Sequence, residues 1–491
     1  MKLFHFTIFT FFLSTVFVTQ TLAQTSTKSS LKGNGEVLYN IPQQKVDSPL
    51  GMLSEGQVYG RVRSNTFVFS SLDADGAYTT PVSAIGVSLL YKSASYSGFD
   101  FTVGAYATYS FFNEDDFSKY VRRQKAKDTF SRYNYANKDE KYMLVLGQAN
   151  LSYTYSKTKI ILGRQLVETF YTRSNDTKMI PNSFDGVVLQ SDDIKNTKIT
   201  LAYLSRQKLR DHTQTHSILM YGDANTTSSL KPQWSENDDS AMHKGLTYTA
   251  LRASGKTTDA PLVVLNTLNK SIKNLKLNFA AYSVPSLISQ IMLEANYKIP
   301  VGYVTITPAF RYIQQFDNGA GAVGGASLGG EASSISPSGY TNPDSLDTKM
   351  IAAKLVTQFA DIKINLAYTD ILNEADLVTP WRGFPTSGYT RSMGIYNWKA
   401  NTKSYRAFIS KGSNKSGNYK DALYIFSLLY LDEDTKKGQE DSMYYYAGIV
   451  KNLQSYPELQ YRVRLGYRDF YNDAYSSKDY LDARLEFNYL F

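Results

Sequence analysis

The chain contains no cysteine. That excludes a disulfide scaffold, Cys-ligated zinc, an iron–sulfur centre and thiol catalysis. Histidine is scarce as well, with only four in 491 residues. His5 lies in the opening segment, and His212, His216 and His243 fall in one expected loop. No expected strand therefore carries the Ser–His pair that a barrel lipase needs. Long hydrophobic runs are absent after residue 23, where nothing approaches the ~18 consecutive apolar residues of a spanning helix. With a mean hydropathy of −0.33, a helical membrane protein is excluded. No Pro-rich linker and no block of one charge divides the chain. Its net charge of +9 comes from 53 bases dispersed among 44 acids, which argues against a nucleic-acid partner.

Aromatic residues, in contrast, are abundant: 39 Tyr and 26 Phe against 3 Trp. So many rings argue against disorder. The first 23 residues read as an export signal. Lys2 is a basic start, residues 3–18 form an apolar stretch, and Thr21-Leu22-Ala23 offers small residues for cleavage before Gln24. Residues 24–55 are polar without a clear period and read as a periplasmic leader. Residues 56–491 read as one β domain.

That domain repeats one unit: about 10–14 residues of polar–apolar alternation, then turn residues. The C-terminus shows it best. Leu481, Ala483, Leu485, Phe487, Tyr489 and Phe491 share one face, and Asp482, Arg484, Glu486 and Asn488 the other. A period of two means a strand with one apolar and one wet face. The strands suit the ~9–11 residues that a tilted strand needs to cross a bilayer. Short turns alternate with long loops, as in outer-membrane barrels. The spacing predicts strands near 57–71, 84–96, 99–112, 142–155, 159–168, 183–194, 197–210, 247–269, 275–286, 287–300, 303–317, 348–360, 362–372, 402–412, 420–433, 442–453, 459–473 and 478–491. That is eighteen, with sixteen as the alternative, because 247–269 contains Gly255 and Pro261 and can hold a loop plus one strand. The expected fold is all-β, a transmembrane antiparallel β-barrel of about eighteen strands.

Three stretches resemble the OprD-type family of outer-membrane porins. Gly56-Gln57-Val58-Tyr59-Gly60-Arg61-Val62-Arg63 resembles its opening strand. Gly163-Arg164-Gln165, followed by Asp176, Lys178, Pro181, Phe184 and Gly186, is similar to its strand end, loop and re-entry. The alternating last strand ends in Phe491. The family often has Arg where this chain has Lys178. The major outer-membrane porin (MOMP) family is a neighbouring possibility, and the loop Pro380-Trp381-Arg382-Gly383-Phe384-Pro385-Thr386 does not separate the two. The resemblance implies an eighteen-stranded pore in the outer membrane of a Gram-negative bacterium. It implies passive diffusion of small hydrophilic solutes, including carboxylate-bearing ones, and a homotrimer as one assembly. It also implies that the barrel assembly machinery reads Phe491. Finally, it implies an inward-folding third long connection, here residues 169–182 with Arg173, Asp176, Lys178 and Pro181.

Strand phase predicts a basic stripe on the wall. Arg462, Arg464 and Arg468 share the wet face of one strand. Arg484 lies on the wet face of the next with Asp482 and Glu486, and closure brings up Arg61 and Arg63. Six arginines against two acids give +4. Phe67 and Phe69 fall on the side of Arg61 and Arg63, so a bulge is one way to reset that strand. The alternative to the stripe is that each Arg satisfies a neighbouring acid.

No catalytic residue, cofactor or metal is expected. His212 and His216, four apart, suit a metal only on a helix, and no helix is predicted there. The Gly-rich stretch 319–330 lacks a Lys-Ser/Thr ending and reads as a flexible loop. The acidic groups Glu114-Asp115-Asp116, Asp238-Asp239 and Asp432-Glu433-Asp434 read as solvated loop charge rather than calcium sites. A structural or adhesive barrel whose loops bind a host or phage is the alternative function. A plugged receptor is disfavoured, since residues 24–55 are too few for a folded plug.

Overall fold

The computed structural model describes residues 29–33, 36–72, 78–111, 129–175, 179–222, 241–330, 339–412, 419, 421–471 and 479–491. The expected signal, residues 1–23, lies outside them, as do Asp176, Lys178, Glu114-Asp115-Asp116 and Asp238-Asp239.

Among the described residues eighteen antiparallel strands close into one barrel. They are β1 (Gln57–Ser71), β2 (Tyr78–Lys92), β3 (Phe99–Phe111), β4 (Tyr142–Tyr155), β5 (Thr158–Gln165) and β6 (Ser183–Ser191). There follow β7 (Thr197–Lys208), β8 (Leu262–Asn269), β9 (Leu275–Val284), β10 (Ile288–Tyr297), β11 (Val304–Asp317) and β12 (Thr348–Phe359). The wall ends with β13 (Ile362–Ile371), β14 (Thr402–Lys411), β15 (Leu423–Asp432), β16 (Ser442–Asn452), β17 (Leu459–Phe470) and β18 (Tyr480–Leu490). The count is eighteen rather than sixteen. The stretch 247–269 resolves into a one-turn helix, Tyr248–Ala253, and β8. Leu262, Val263, Val264 and Leu265 are apolar on both faces, so the period there is weak.

Closure runs from Tyr480↔Ser71 to Leu490↔Arg61 without a register shift, and β1 meets β2 without one either. The bulge that strand phase allowed on β1 is absent. Phe67 and Phe69 do point inward with Arg61 and Arg63. Inside, Phe67 lies under the Arg484 guanidinium at 5.1 Å, and Phe69 packs with Tyr480 and Ile395. An inward ring is tolerated because the lumen beside it is filled by a loop rather than water.

The tight connections gather at one rim. Asn196, Asn274, Ala360 and Gly302 take left-handed backbone there, the conformation that short hairpins impose. At the other rim most connections are long; β1 and β2 are joined by residues 72–77 only, and at Pro285-Ser286-Leu287 β9 turns directly into β10. The outward face is apolar, with Leu162, Leu293, Phe310, Leu366 and Phe426 exposed. Near the long-loop rim it carries tyrosines whose hydroxyls donate to carboxylates: Tyr368 to Asp370 (3.1 Å), Tyr430 to Asp441 (3.2 Å) and Tyr467 to Asp479 (3.0 Å). This is how an amphipathic ring anchors a barrel at the water boundary. Arg164 and Asp185 also face outward, joined in a bidentate pair at 2.7 and 2.9 Å.

Candidate functional site

The wall has two kinds of inner face. On β6 to β13 the inward residues near the long-loop rim are apolar, among them Leu204, Val264, Tyr282, Met292, Ile313 and Met350. Several long connections fold inward to cover them. Residues 169–175 and 179–182 run inside the barrel: Tyr171 packs on Tyr282 with ring centres 4.7 Å apart, and the Phe170 amide donates to Asn266 at 2.9 Å. Residues 372–401 lie against this segment. Arg173 N–H donates to the Trp381 carbonyl and Gly383 N–H to the Tyr171 carbonyl, both at 2.9 Å. A Cβ at Gly383 would lie 2.1 Å from the Phe170 carbonyl oxygen, so the two loops touch backbone to backbone. Trp381 is fully buried, its indole N–H donating to the Ile218 carbonyl at 2.6 Å.

Of the expected constriction residues, Arg173 pairs with Glu168 at 3.2 Å, and Pro181 is buried with its carbonyl accepting from Lys208 at 2.9 Å. The loop 372–401 was not expected as a second inward element. Its signal was Pro380-Trp381-Arg382-Gly383-Phe384-Pro385, too apolar for a solvated loop.

On β16 to β18 and β1 the inner face is charged. Arg462 holds Glu486 with two hydrogen bonds, 2.5 and 2.8 Å. Arg464 lies 2.8 Å from the same carboxylate and stands opposite Arg484 in the register. Arg484 grips Asp482 at 2.8 and 2.6 Å. Arg468 reaches Glu433 at 2.6 Å and Ser442 at 3.0 Å. Arg61 and Arg63 lie on the inner face of β1, both buried. The side chains of Arg464, Arg468 and Arg484 stay 11–16% exposed. Thus the arginines do share one face, and four of them also meet an acid. Glu433 lowers the local sum from +4 to +3.

Glu433 is not solvated loop charge, as Asp432-Glu433-Asp434 was expected to be. It is buried under Arg468, and burial pushes its pKa up against the pull of that guanidinium. Asp434 is tied to Lys437 at 2.5 Å.

Two further guanidinium groups face the stripe. Arg406, on the inner face of β14, donates to the Arg391 carbonyl at 3.0 Å. Arg391, on the inward loop, stacks over Phe384 and Tyr396 at 4.6 and 5.1 Å. Burial lowers its pKa to about 10, with Arg484 pushing the same way, so it keeps its charge at neutral pH. Arg406 was legible in strand phase, between Tyr405 and Ala407 on the outer face. Arg391 carried no local signal.

His212 and His216 bond to each other, Nδ1 to Nε2 at 2.9 Å, with Asp211 3.9 Å from His212. His243 is buried, its Nε2 on the Gly325 carbonyl (2.9 Å) and its Nδ1 accepting from Gly245 N–H (3.1 Å). Burial lowers its pKa, so it stands as the neutral ring.

No curated protein matches the chain in sequence. Solved structures share the fold. OpdK of Pseudomonas aeruginosa, solved with vanillate, superposes with a TM-score of 0.65 at 11% identity, over 90% of this chain and 100% of that one. OccAB3 of Acinetobacter baumannii gives 0.64 at 12%, over 88% and 99%. OccK8 (OprE) of Pseudomonas aeruginosa gives 0.64 at 12%, over 90% and 99%. Residues 121–376, more than half of the sequence, match the family described as outer membrane porin, OprD family. A closed eighteen-stranded wall with an apolar outside, a charged inner arc and inward loops agrees with that match, and the chain belongs to the OprD family of outer-membrane porins, channels of the Gram-negative outer membrane.

Proposed function

We propose that this porin favours small anionic solutes, carboxylates in particular, and that they pass along the arginine face of the lumen. The observation that carries the reading is the meeting of Arg464 and Arg484 on the wall with Arg391 and Arg406 opposite them. Two carboxylates, Asp482 and Glu486, lie among them. Neighbouring strands are ~4.8 Å apart, within a Debye length of ~8 Å at physiological salt, so these charges act as one field. Arg suits the task because it stays charged and binds carboxylate in a two-pronged way. The vanillate in the OpdK structure, an aromatic carboxylate, is consistent with this preference in a protein of the same fold.

The test is a reversal potential under a salt gradient, with Arg462, Arg464 and Arg468 changed together to Gln. Loss of anion preference and slower carboxylate uptake are expected. A folded triple variant with unchanged selectivity and uptake would sink the reading.

Four finer readings accompany it. Residues 169–182 narrow the lumen, together with loop 372–401. Phe491, lying over Gly60 and exchanging backbone hydrogen bonds with it at 2.9 and 3.0 Å, is read by the assembly machinery; deleting it is expected to lower outer-membrane levels. Residues 1–23 are removed on export. A homotrimer is consistent with the small outward residues Ser64, Thr66 and Ser83 on β1 and β2, which permit close approach; cross-linking in the native membrane tests it.

A further inference from the structure

The N-terminal leader has a defined course. Below the β2–β3 turn it adds a short parallel strand, Lys45↔Ser95 and Val46↔Tyr96, and Gln43 donates to the Ser93 carbonyl at 2.7 Å. It then enters the barrel. Tyr39 meets Tyr59, on the inner face of β1, edge-on at 4.6 Å, and the Lys92 amine lies 3.8 Å above the Tyr39 ring. Ser29–Leu31 pairs back on Val37–Tyr39 as a small hairpin, and Leu31 is fully buried. The hairpin ends on the charged arc. Gln460 donates to the Leu31 carbonyl (3.2 Å), Arg462 to the Gly33 carbonyl (3.5 Å), and Gly33 N–H to the Tyr419 hydroxyl (2.9 Å).

The feet of six adjacent strands, from β2 through β1 and β18 round to β15, thus lie along one strap. It sits at the short-turn end of the arginine face. Its own Lys32 and Glu36 pair with each other at 3.0 Å, so it brings no net charge to the stripe. What it brings is backbone carbonyls, which occupy the guanidinium of Arg462 and the amide of Gln460. We infer that the leader is a fixed selectivity element at the periplasmic exit: it narrows the pore and withholds Arg462 from solute. This rests on the porin reading and adds to it an exit filter made from a segment outside the barrel wall.

The absence of native cysteine makes the test clean. Deleting residues 29–41 is expected to raise single-channel conductance by about twofold or more, since current follows pore cross-section, and to shift ion selectivity toward anions as the Arg462 Nη1, the edge that Glu486 leaves open, is uncovered. In the full chain, Gly33→Cys with Leu423→Cys is expected to form a disulfide, because a Cβ at position 33 would fall 2.6 Å from the Leu423 side chain. Oxidation is expected to leave conductance at the wild-type level. Gly33→Cys alone, labelled with a charged thiol reagent, is expected to change conductance and ion selectivity. A folded deletion with wild-type conductance and selectivity would overturn the inference, as would a labelled Gly33→Cys channel that conducts like the unlabelled one. An oxidised lock that stops current until reduced would also overturn it, since the strap would then have to leave for solute to pass. A wild-type protein that conducts nothing would instead overturn the porin reading itself.

Discussion

The two arcs of the inner wall solve opposite problems with the same kind of strand. On β6 to β13 the inward residues near the long-loop rim are mostly Leu, Val, Met and Ile, and burying them against the inward loops removes apolar surface from water, while Arg311 and Glu294 form an ion pair on the same inner face. On β16 to β18 and β1 the inward residues include Arg, Asp, Glu and Asn, and four of the arginines meet a carboxylate there. The apolar arc needs a cover, so the loops lie on it. The charged arc holds its own partners, and the strap reaches only its periplasmic end. On the proposed reading, that difference makes the conducting path eccentric, following the arc whose side chains tolerate water.

The sharpest way to break this comparison is to put the same charge on each arc. Met292 is fully buried on the apolar arc, and Met292→Arg is expected to cost about 3 kcal/mol or more, because the cation has no partner. Asn65 stands opposite Glu486, so Asn65→Lys on the charged arc is expected to cost far less. Heat-modifiable mobility on gels compares the two, and equal losses would erase the distinction between the arcs.

The next effect concerns the two sides of one strand. Leu485 faces outward on β18 and Asn488 inward. Leu485→Lys places charge in hydrocarbon, at ~2–4 kcal/mol near the midplane and less near a rim. Asn488→Lys is expected to be milder, and refolding yields into lipid vesicles measure both. Similar yields would mean that the facing of this strand is misassigned.

A smaller change sharpens the role of the cover. Gly383→Ala forces the two inward loops apart and is expected to cost ~1–3 kcal/mol as overpacking. The barrel is expected to remain folded while channel current becomes larger or noisier. A quiet channel of unchanged size would place this loop contact away from the path.

The smallest effect is a pH dependence of the cover alone. His243 has a folded pKa below its unfolded value, because burial disfavours the charged ring. Its contribution is therefore present above the unfolded pKa of ~6.5 and lost as pH falls from there toward the folded value. Channel noise is expected to rise between neutral pH and pH ~5, and His243→Asn, which keeps a neutral side chain, is expected to flatten that rise.

Legibility in the sequence followed the same division. The strands of the charged arc, β17 and β18, alternate cleanly, so their faces and the shared arginine face could be read directly. Around β8 the period fails, because Leu262, Val263, Val264 and Leu265 meet lipid on one side and loops on the other. A residue apolar for either reason looks the same in one dimension. On β1 the inward Phe67 and Phe69 seemed to need a bulge, since nothing local announced that Arg484 and Ile395 would cover them.

What the sequence determined by itself was therefore local and periodic: where most strands lie, which face of each is wet, the rim that carries the long loops, and the absence of thiol chemistry. These follow from the two-residue repeat of a strand and from composition. The tertiary structure alone decided which charges meet. Glu433 comes to Arg468 from the other end of a hairpin, Arg391 comes to the stripe on a loop, and the leader carbonyl of Gly33 comes to Arg462 across 429 positions of chain. Barrel closure sets those meetings, and a period of two along one strand carries no information about them.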